Sequence, residues 1–275
     1  MIVAEVERHS LAQQLRTRLS AARTRLAARE LLELGLLRTV AEAWAFHRSH
    51  GVSALRYPLA RRAHLDLVPP WVDLRRGVLI DIGANEGNWT SAALGVVPDA
   101  MVIAIEPSPA PRKVLAARFA DRGNVIVDAR AVTDVVGRAT LHVTRASVFG
   151  SLLPPLESLQ HMYSLPGAPT DVVDHLEVST VTLDELVGEQ HVAVLKLDVQ
   201  GAELSVLRGG RRALSQTDAV IMEVLFVPHY EGDATFAALD QEMRELGFEL
   251  VDIAKPLRLS GGPALWADAC YARRR

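Results

Sequence analysis

The chain has 275 residues, of which 49% are hydrophobic and 23% charged, a globular composition long enough for one large domain or one domain with an appendage. A formal net charge of -3 argues against a dedicated nucleic-acid binder, which carries a basic excess, so no nucleic-acid partner is expected. The single cysteine, Cys270, excludes an internal disulfide and a multi-cysteine zinc site and is compatible with the reducing cytoplasm, the expected compartment.

The first eight residues include Glu5 and Glu7 where a secretory signal needs an apolar core. No uncharged apolar run reaches the length of a membrane span, so none is expected. Leu11, Leu15, Leu19, Ala22 and Leu26 recur at helical spacing, with Arg16, Arg18, Arg23 and Arg25 between them and Arg29 just after. A second helix is expected over residues 30–46, and residues 57–70 lead into the rest through Pro69 and Pro70. Residues 1–70 therefore read as a helical N-terminal extension. It is a cap over a substrate mouth or a contact between identical subunits; Glu30, Glu33 and Glu42 interrupt its basic face and disfavour a membrane surface.

Strands and helices alternate over residues 71–275. Strands are expected at residues 78–82, 101–105, 124–127, 139–144, 192–197, 219–224, 248–251 and 268–272. Helices are expected at 88–94, 111–122 and 236–246. This alternation predicts an α/β fold with a doubly wound, mostly parallel sheet. Between residues 146 and 170 lie Pro154, Pro155, Pro166 and Pro169, a long loop of the kind that forms lids and binding walls.

Two stretches carry the chemistry. Val78-Leu79-Ile80-Asp81-Ile82-Gly83-Ala84-Asn85-Glu86-Gly87 is a buried-looking strand running into a glycine turn. Leu195-Lys196-Leu197-Asp198-Val199-Gln200-Gly201-Ala202-Glu203 repeats that form downstream. Ligands of open parallel sheets bind beyond the carboxyl ends of the strands. Glu106, at the end of the second strand, is placed to accept two hydrogen bonds from a ribose diol. A nicotinamide fingerprint needs three glycines, G-x-G-x-x-G, and Asn85 stands at the second of those positions. S-adenosylmethionine has no pyrophosphate, so it needs the turn and the acid but not the triple glycine. It is the expected cofactor, with a nicotinamide-dependent oxidoreductase as an alternative.

Asp81-Ile82-Gly83-Ala84-Asn85-Glu86-Gly87, Glu106-Pro107, Leu183-Asp184, residues 196–203 and Glu223 together resemble the FkbM family of S-adenosylmethionine-dependent methyltransferases. Residues 226–232 and 267–271 resemble further segments of that family, so the resemblance runs from about Val78 to Tyr271. It implies a seven-stranded, Rossmann-like class I methyltransferase fold and methyl transfer to a hydroxyl of a natural product or sugar. By the same analogy Asp81, Gly83, Ala84, Asn85 and Gly87 line the methionine end of the cofactor, Glu106 holds the ribose, and residues 128–131, with Asp128 and Ala131 at their ends, border the adenine. Asp198 is the leading catalytic candidate and also a cofactor contact. His229 is the second catalytic candidate, because imidazole exchanges a proton near neutral pH. Ser151, Glu203, Glu223 and Tyr230 are substrate-side candidates; Glu203 is equally suited to capping a helix, and Lys196 to anchoring an acid. Asp198, Glu203 and Glu223 offer oxygen ligands for magnesium. The family pattern has Glu where this chain has Gln200, which weakens the metal reading and leaves open a non-catalytic binding protein on the same fold.

Overall fold

The structure, a computed structural model, describes residues 64–162, 169–258 and 262–273. The two expected N-terminal helices, and the subunit contact assigned to them, lie outside those residues.

Eleven strands and seven helices follow one another among the described residues. β1 is Val78–Ile82, α1 Asn88–Val96, β2 Val102–Ile105, α2 Pro109–Arg118, β3 Val125–Asp128, β4 Ala131–Thr133 and β5 Gly137–Thr144. A 3₁₀ turn, Ser147–Phe149, precedes α3, Glu157–Met162. Then come β6 Val172–Thr182, α4 Leu183–Val187, β7 Val192–Leu197, α5 Glu203–Arg208, α6 Arg211–Ser215 and β8 Thr217–Leu225. The chain closes with α7 Phe236–Glu245, β9 Glu249–Ile253, β10 Leu257–Arg258 and β11 Ala264–Ala272.

The main sheet has the order β10-β11-β8-β7-β1-β2-β3. From β3 to β8 every pairing is parallel, and β11 lies antiparallel between β8 and the edge. Seven places across the sheet hold eight strands, because β9 and β10 lie one after the other along the same side of β11. β9 pairs with residues 269–272 and β10 with Trp266 and Ala264.

β1, β2 and β7 are buried along their whole length, which is why each reads as an apolar run, interrupted only by Asp81 in β1 and Lys196 in β7. Side chains alternate between two cores. Leu79, Val102, Ala104, Val194 and Ile221 pack on one face with α1 and Leu115 of α2. Ile80, Ile82, Leu195, Leu197 and Met222 pack on the other, against α4 to α7. Leu65 and Val68 join the first cluster, so the packed core begins ahead of residue 71. Burying one such side chain stabilises the fold by about 1.5–3 kcal/mol.

Two features depart from expectation. β5 does not join the main sheet; it pairs antiparallel with β6, and β4 pairs parallel with β6, in a separate three-stranded sheet. The long loop is also not wholly irregular, since it contains the 3₁₀ turn and α3.

Candidate active site

A cleft opens beyond the carboxyl ends of β1, β2 and β7, where open parallel sheets bind their ligands. Gly83 and Asn85 after β1, Glu106 to Ser108 after β2, and Asp198 to Gln200 after β7 form its floor. Ala131 and Val132 of β4, Leu141 and Val143 of β5, and the strap from Ser147 to Leu152 form its roof.

Local backbone chemistry shapes the floor. Gly83 has φ +79°, and a Cβ added there would lie 1.8 Å from the carbonyl oxygen of Asp198. The two strand ends therefore touch only because this residue has no side chain. Gly87, also at φ +79°, opens α1, where a Cβ would strike Leu115 and Phe119. Asn85 and Gln200 are non-glycine residues in the left-handed region, at φ 49° and 56°. Such conformations cluster at functional sites because they cost energy elsewhere in a chain.

The Glu106 carboxylate is fixed by two backbone donors. Asn85 N–H donates to Oε2 and Ser108 N–H to Oε1, each at 2.8 Å. A carboxylate has about four acceptor positions, so two remain for a diol. Burial raises the Glu106 pKa, while the two N–H groups pull it down.

On the other side of β1, Lys196 Nζ donates to Asp198 Oδ2 at 2.8 Å and lies 4.0 Å from Asp81 Oδ1. Burial works against the Lys196 charge, but Asp198 and Asp81 hold its ammonium above the usual lysine range. Asp198 is likewise opposed by burial, yet Lys196 and the Gln200 amide keep its pKa below the ordinary value. Asp81 is fully buried, takes a 2.6 Å hydrogen bond from the Thr90 hydroxyl, and is raised by that burial. Its Oδ1 is a buried oxygen with no hydrogen-bond partner among the described residues.

Of the residues singled out in the sequence, Gly83, Asn85, Glu106, Ala131, Ser151 and Asp198 line the cleft. The remaining eight are not among its walls. Asp81, Ala84 and Gly87 support the turn from within. Asp128 is held by Arg130 in a 2.6 Å ion pair, which lowers its pKa despite burial. Glu203 faces the backbone, accepting from Val199 N–H at 3.0 Å and Gly201 N–H at 3.4 Å. Burial pushes its pKa up to about 7. Glu223 accepts from Gln200 Nε2 at 3.1 Å and is raised well above the usual range by burial and by Asp198. Tyr230 donates to Gln200 Oε1 at 2.7 Å. His229 is 3% exposed, with Nδ1 2.7 Å from the Val227 carbonyl. The structure does not bring it to the cleft, so its geometry is that of a packed loop residue.

Asp198, Glu203 and Glu223 do not gather as metal ligands, because Glu203 turns to the backbone and Gln200 stands between the other two. Among the described residues no three of His, Cys, Asp and Glu are grouped to hold a metal. No helix among the described residues is long and apolar enough to cross a membrane.

Several cleft residues carried no sequence signal of their own. Leu141, Val143 and Val132 are ordinary strand residues that reach the site only because the small sheet folds over the large one. Ser147 had the signal of its proline-bounded loop, and its Oγ accepts from Asn85 Nδ2 at 3.0 Å.

A parallel sheet with one reversed strand beside β8, and a cleft at its carboxyl edge bounded by Glu106 and Asp198, is the arrangement of a class I, S-adenosylmethionine-dependent methyltransferase. Residues 81–250 match the Methyltransferase FkbM domain, and the chain belongs to that family. It is 31% identical over 212 residues to the 31-O-demethyl-FK506 methyltransferase FkbM of Streptomyces tacrolimicus, covering 68% of this chain and 78% of that one. It is 25% identical over 173 residues to the 2-O-methyltransferase NoeI of Sinorhizobium fredii, covering 59% of this chain and 69% of that one. A crystallised FkbM methyltransferase from Methylobacillus flagellatus is 17% identical with a TM-score of 0.48; the match covers 72% of this chain and 44% of that protein. Family membership removes the oxidoreductase and the non-catalytic binding protein as readings.

Proposed function

We propose that this enzyme transfers the methyl group of S-adenosylmethionine to a hydroxyl oxygen of a small molecule. One observation carries the proposal: Glu106 and Asp198 stand at the ends of the two strands flanking β1, with the Gly83 turn between them in one cleft. The residues fit the cofactor. Glu106 has acceptor positions left for the ribose, and the Gly83–Asn85 turn leaves the floor open to the methionine part. Ala131, Val132 and Leu141 supply an apolar wall suited to the adenine, whereas the Asp128 carboxylate is committed to Arg130.

When bound, the cofactor supplies an electrophilic methyl group on a sulfonium that departs as a neutral thioether. The chain's own residues position the partners. Aligning two bound reactants supplies on the order of 7–11 kcal/mol, whereas a general base adds about 10²–10⁴-fold. Asp198 is suited to alignment. Lys196 and Gln200 occupy its two oxygens and keep it ionised, so it accepts a hydrogen bond from a hydroxyl or an amino group but is a weak base near neutral pH. Oxygen is the favoured acceptor atom because both relatives, a 2-O-methyltransferase and a 31-O-demethyl-FK506 methyltransferase, are named for methylation at oxygen.

The test has two parts. Isothermal titration with S-adenosylhomocysteine is expected to show binding to the full chain. Incubation with S-adenosylmethionine and a panel containing 31-O-demethyl-FK506 and methyl glycosides is then expected to yield a product heavier by one methylene. No binding at millimolar ligand sinks the cofactor assignment; products methylated only on nitrogen or carbon sink the acceptor assignment.

A further inference from the structure

Gln200 joins the floor of the cleft, the roof strap and the segment after β8 through its side chain and its backbone carbonyl. It follows β7 in a left-handed conformation. Its backbone carbonyl accepts from the Ser151 hydroxyl at 2.7 Å, tying the roof strap to the floor. Its Oε1 accepts from Tyr230 OH at 2.7 Å, and the same hydroxyl lies 3.1 Å from the Phe149 carbonyl in the strap. Its Nε2 donates to Asp198 Oδ1 at 2.8 Å and to Glu223 Oε2 at 3.1 Å.

A primary amide has two N–H donors and one carbonyl acceptor, and all are engaged here. An ionised carboxylate in the same place has acceptors only. It would set three carboxylate groups against one another, and like charges at that distance cannot all stay ionised. The surroundings sharpen the point. Asp268 lies opposite Glu223 on β11, with His64 Nε2 3.4 Å from its carboxylate. Lys196 is already shared between Asp198 and Asp81. Glu203 faces the backbone below. The groups facing Gln200 are thus mostly acidic, and its amide is the donor that reconciles two of them.

We propose that Gln200 is a positioning residue: its side chain fixes the Asp198 carboxylate and, through the Tyr230 hydroxyl, the strap at Phe149 around the cofactor, and its neutral amide lets the site keep that shape without an added proton. The inference rests on the cofactor assignment made above. It follows that an acid at this position would make cofactor affinity depend on a proton.

The experiment measures S-adenosylhomocysteine affinity by calorimetry for wild type and Gln200→Glu between about pH 4 and 8.5, a range that spans the ordinary and raised carboxyl values. The readout is the ratio of the two dissociation constants, which cancels titrations common to both proteins, Glu203 included. The ratio is expected to be smallest at the acid end and to rise by up to about tenfold per pH unit once the introduced carboxyl ionises in the free protein. A loss that merely reflected disturbed packing would give a ratio without slope, and that result overturns the inference while leaving the cofactor assignment intact. Wild type that binds no S-adenosylhomocysteine at any pH overturns both. If thermal melting shows Gln200→Glu unfolded, Gln200→Met decides. It keeps the length but loses every side-chain polar contact, and is expected to bind about tenfold more weakly at all pH values. Wild-type affinity in that variant overturns the inference.

Discussion

Glu203→Gln should make the protein's stability less sensitive to pH. Glu203 is 2% exposed at the start of α5 and accepts from two backbone N–H groups across the turn after β7. Burial, opposed by those N–H groups, moves its pKa from 4.5 to about 7. A carboxyl raised on folding binds its proton more tightly in the native state. Its contribution to stability is therefore fully present below about pH 4.5 and is lost as pH rises through about 7. The loss proceeds at up to about 1.4 kcal/mol per pH unit and totals about 3 kcal/mol above pH 8. Between pH 6 and 8 it amounts to roughly 1.3 kcal/mol. An amide oxygen accepts the same two backbone donors and does not titrate. The stability of Glu203→Gln relative to wild type should therefore improve by roughly that 1.3 kcal/mol from pH 6 to 8, about 3–5 °C in melting temperature. Urea melts at several pH values are the assay. Parallel stability curves for the two proteins would refute the reasoning, because they would mean that Glu203 stays ionised in the fold or is not buried.

Glu106→Ala removes the proposed ribose acceptor and leaves the Asn85 and Ser108 N–H groups without their carboxylate; S-adenosylhomocysteine affinity should fall by about 2–3 kcal/mol, or 30–150-fold, by calorimetry. Gly83→Ala forces a side chain onto the Asp198 carbonyl at a positive φ, so a loss of more than about 2 kcal/mol in denaturant melts is expected, with cofactor binding abolished. Lys196→Met strips the cation from Asp81 and Asp198 and should cost about 3–5 kcal/mol; a melting temperature equal to wild type would contradict the ion-pair assignment. His229→Gln should lower kcat, on whichever acceptor the screen returns, by much less than the ~10²-fold that loss of a general base causes.

The parts of the fold legible in the sequence are those buried on both faces. β1 and β7 match the expected strands at both ends because Val78–Ile82 and Val192–Leu197 are apolar runs, broken only by Asp81 and Lys196, and closed by a glycine turn or an acid. β6 was not legible. Asp174, His175 and Glu177 are exposed along it, and its inward Val178 and Thr180 face a small satellite core, so its alternation is weak. The short helices α4, α5 and α6 are five or six residues long, too few for a helical period to emerge. At the site, the strand-end rule located Gly83, Asn85, Glu106 and Asp198 without a structure. What it could not reach was partnership across sequence. That Tyr230 and Ser151 converge on Gln200 depends on where β8 and the strap lie, and no local pattern encodes it. The same limit explains His229: an imidazole near a strand end looks chemical until its ring is seen against the Val227 carbonyl.

The broken edge beside β11 bears on how the protein behaves at high concentration. β9 ends at Ile253, and β10 resumes for only two residues, Leu257 and Arg258. Ala254, Lys255 and Pro256 fill the interval, and a proline has no N–H to offer a neighbouring chain. A second molecule approaching this edge meets a five-residue ladder, then a charge and a missing donor, rather than a continuous row of unpaired amides. Short edges, lysine and proline are among the devices by which sheets avoid joining end on end into aggregates. Filling that gap with residues such as valine would be a direct way to make the enzyme less soluble without touching its catalytic cleft.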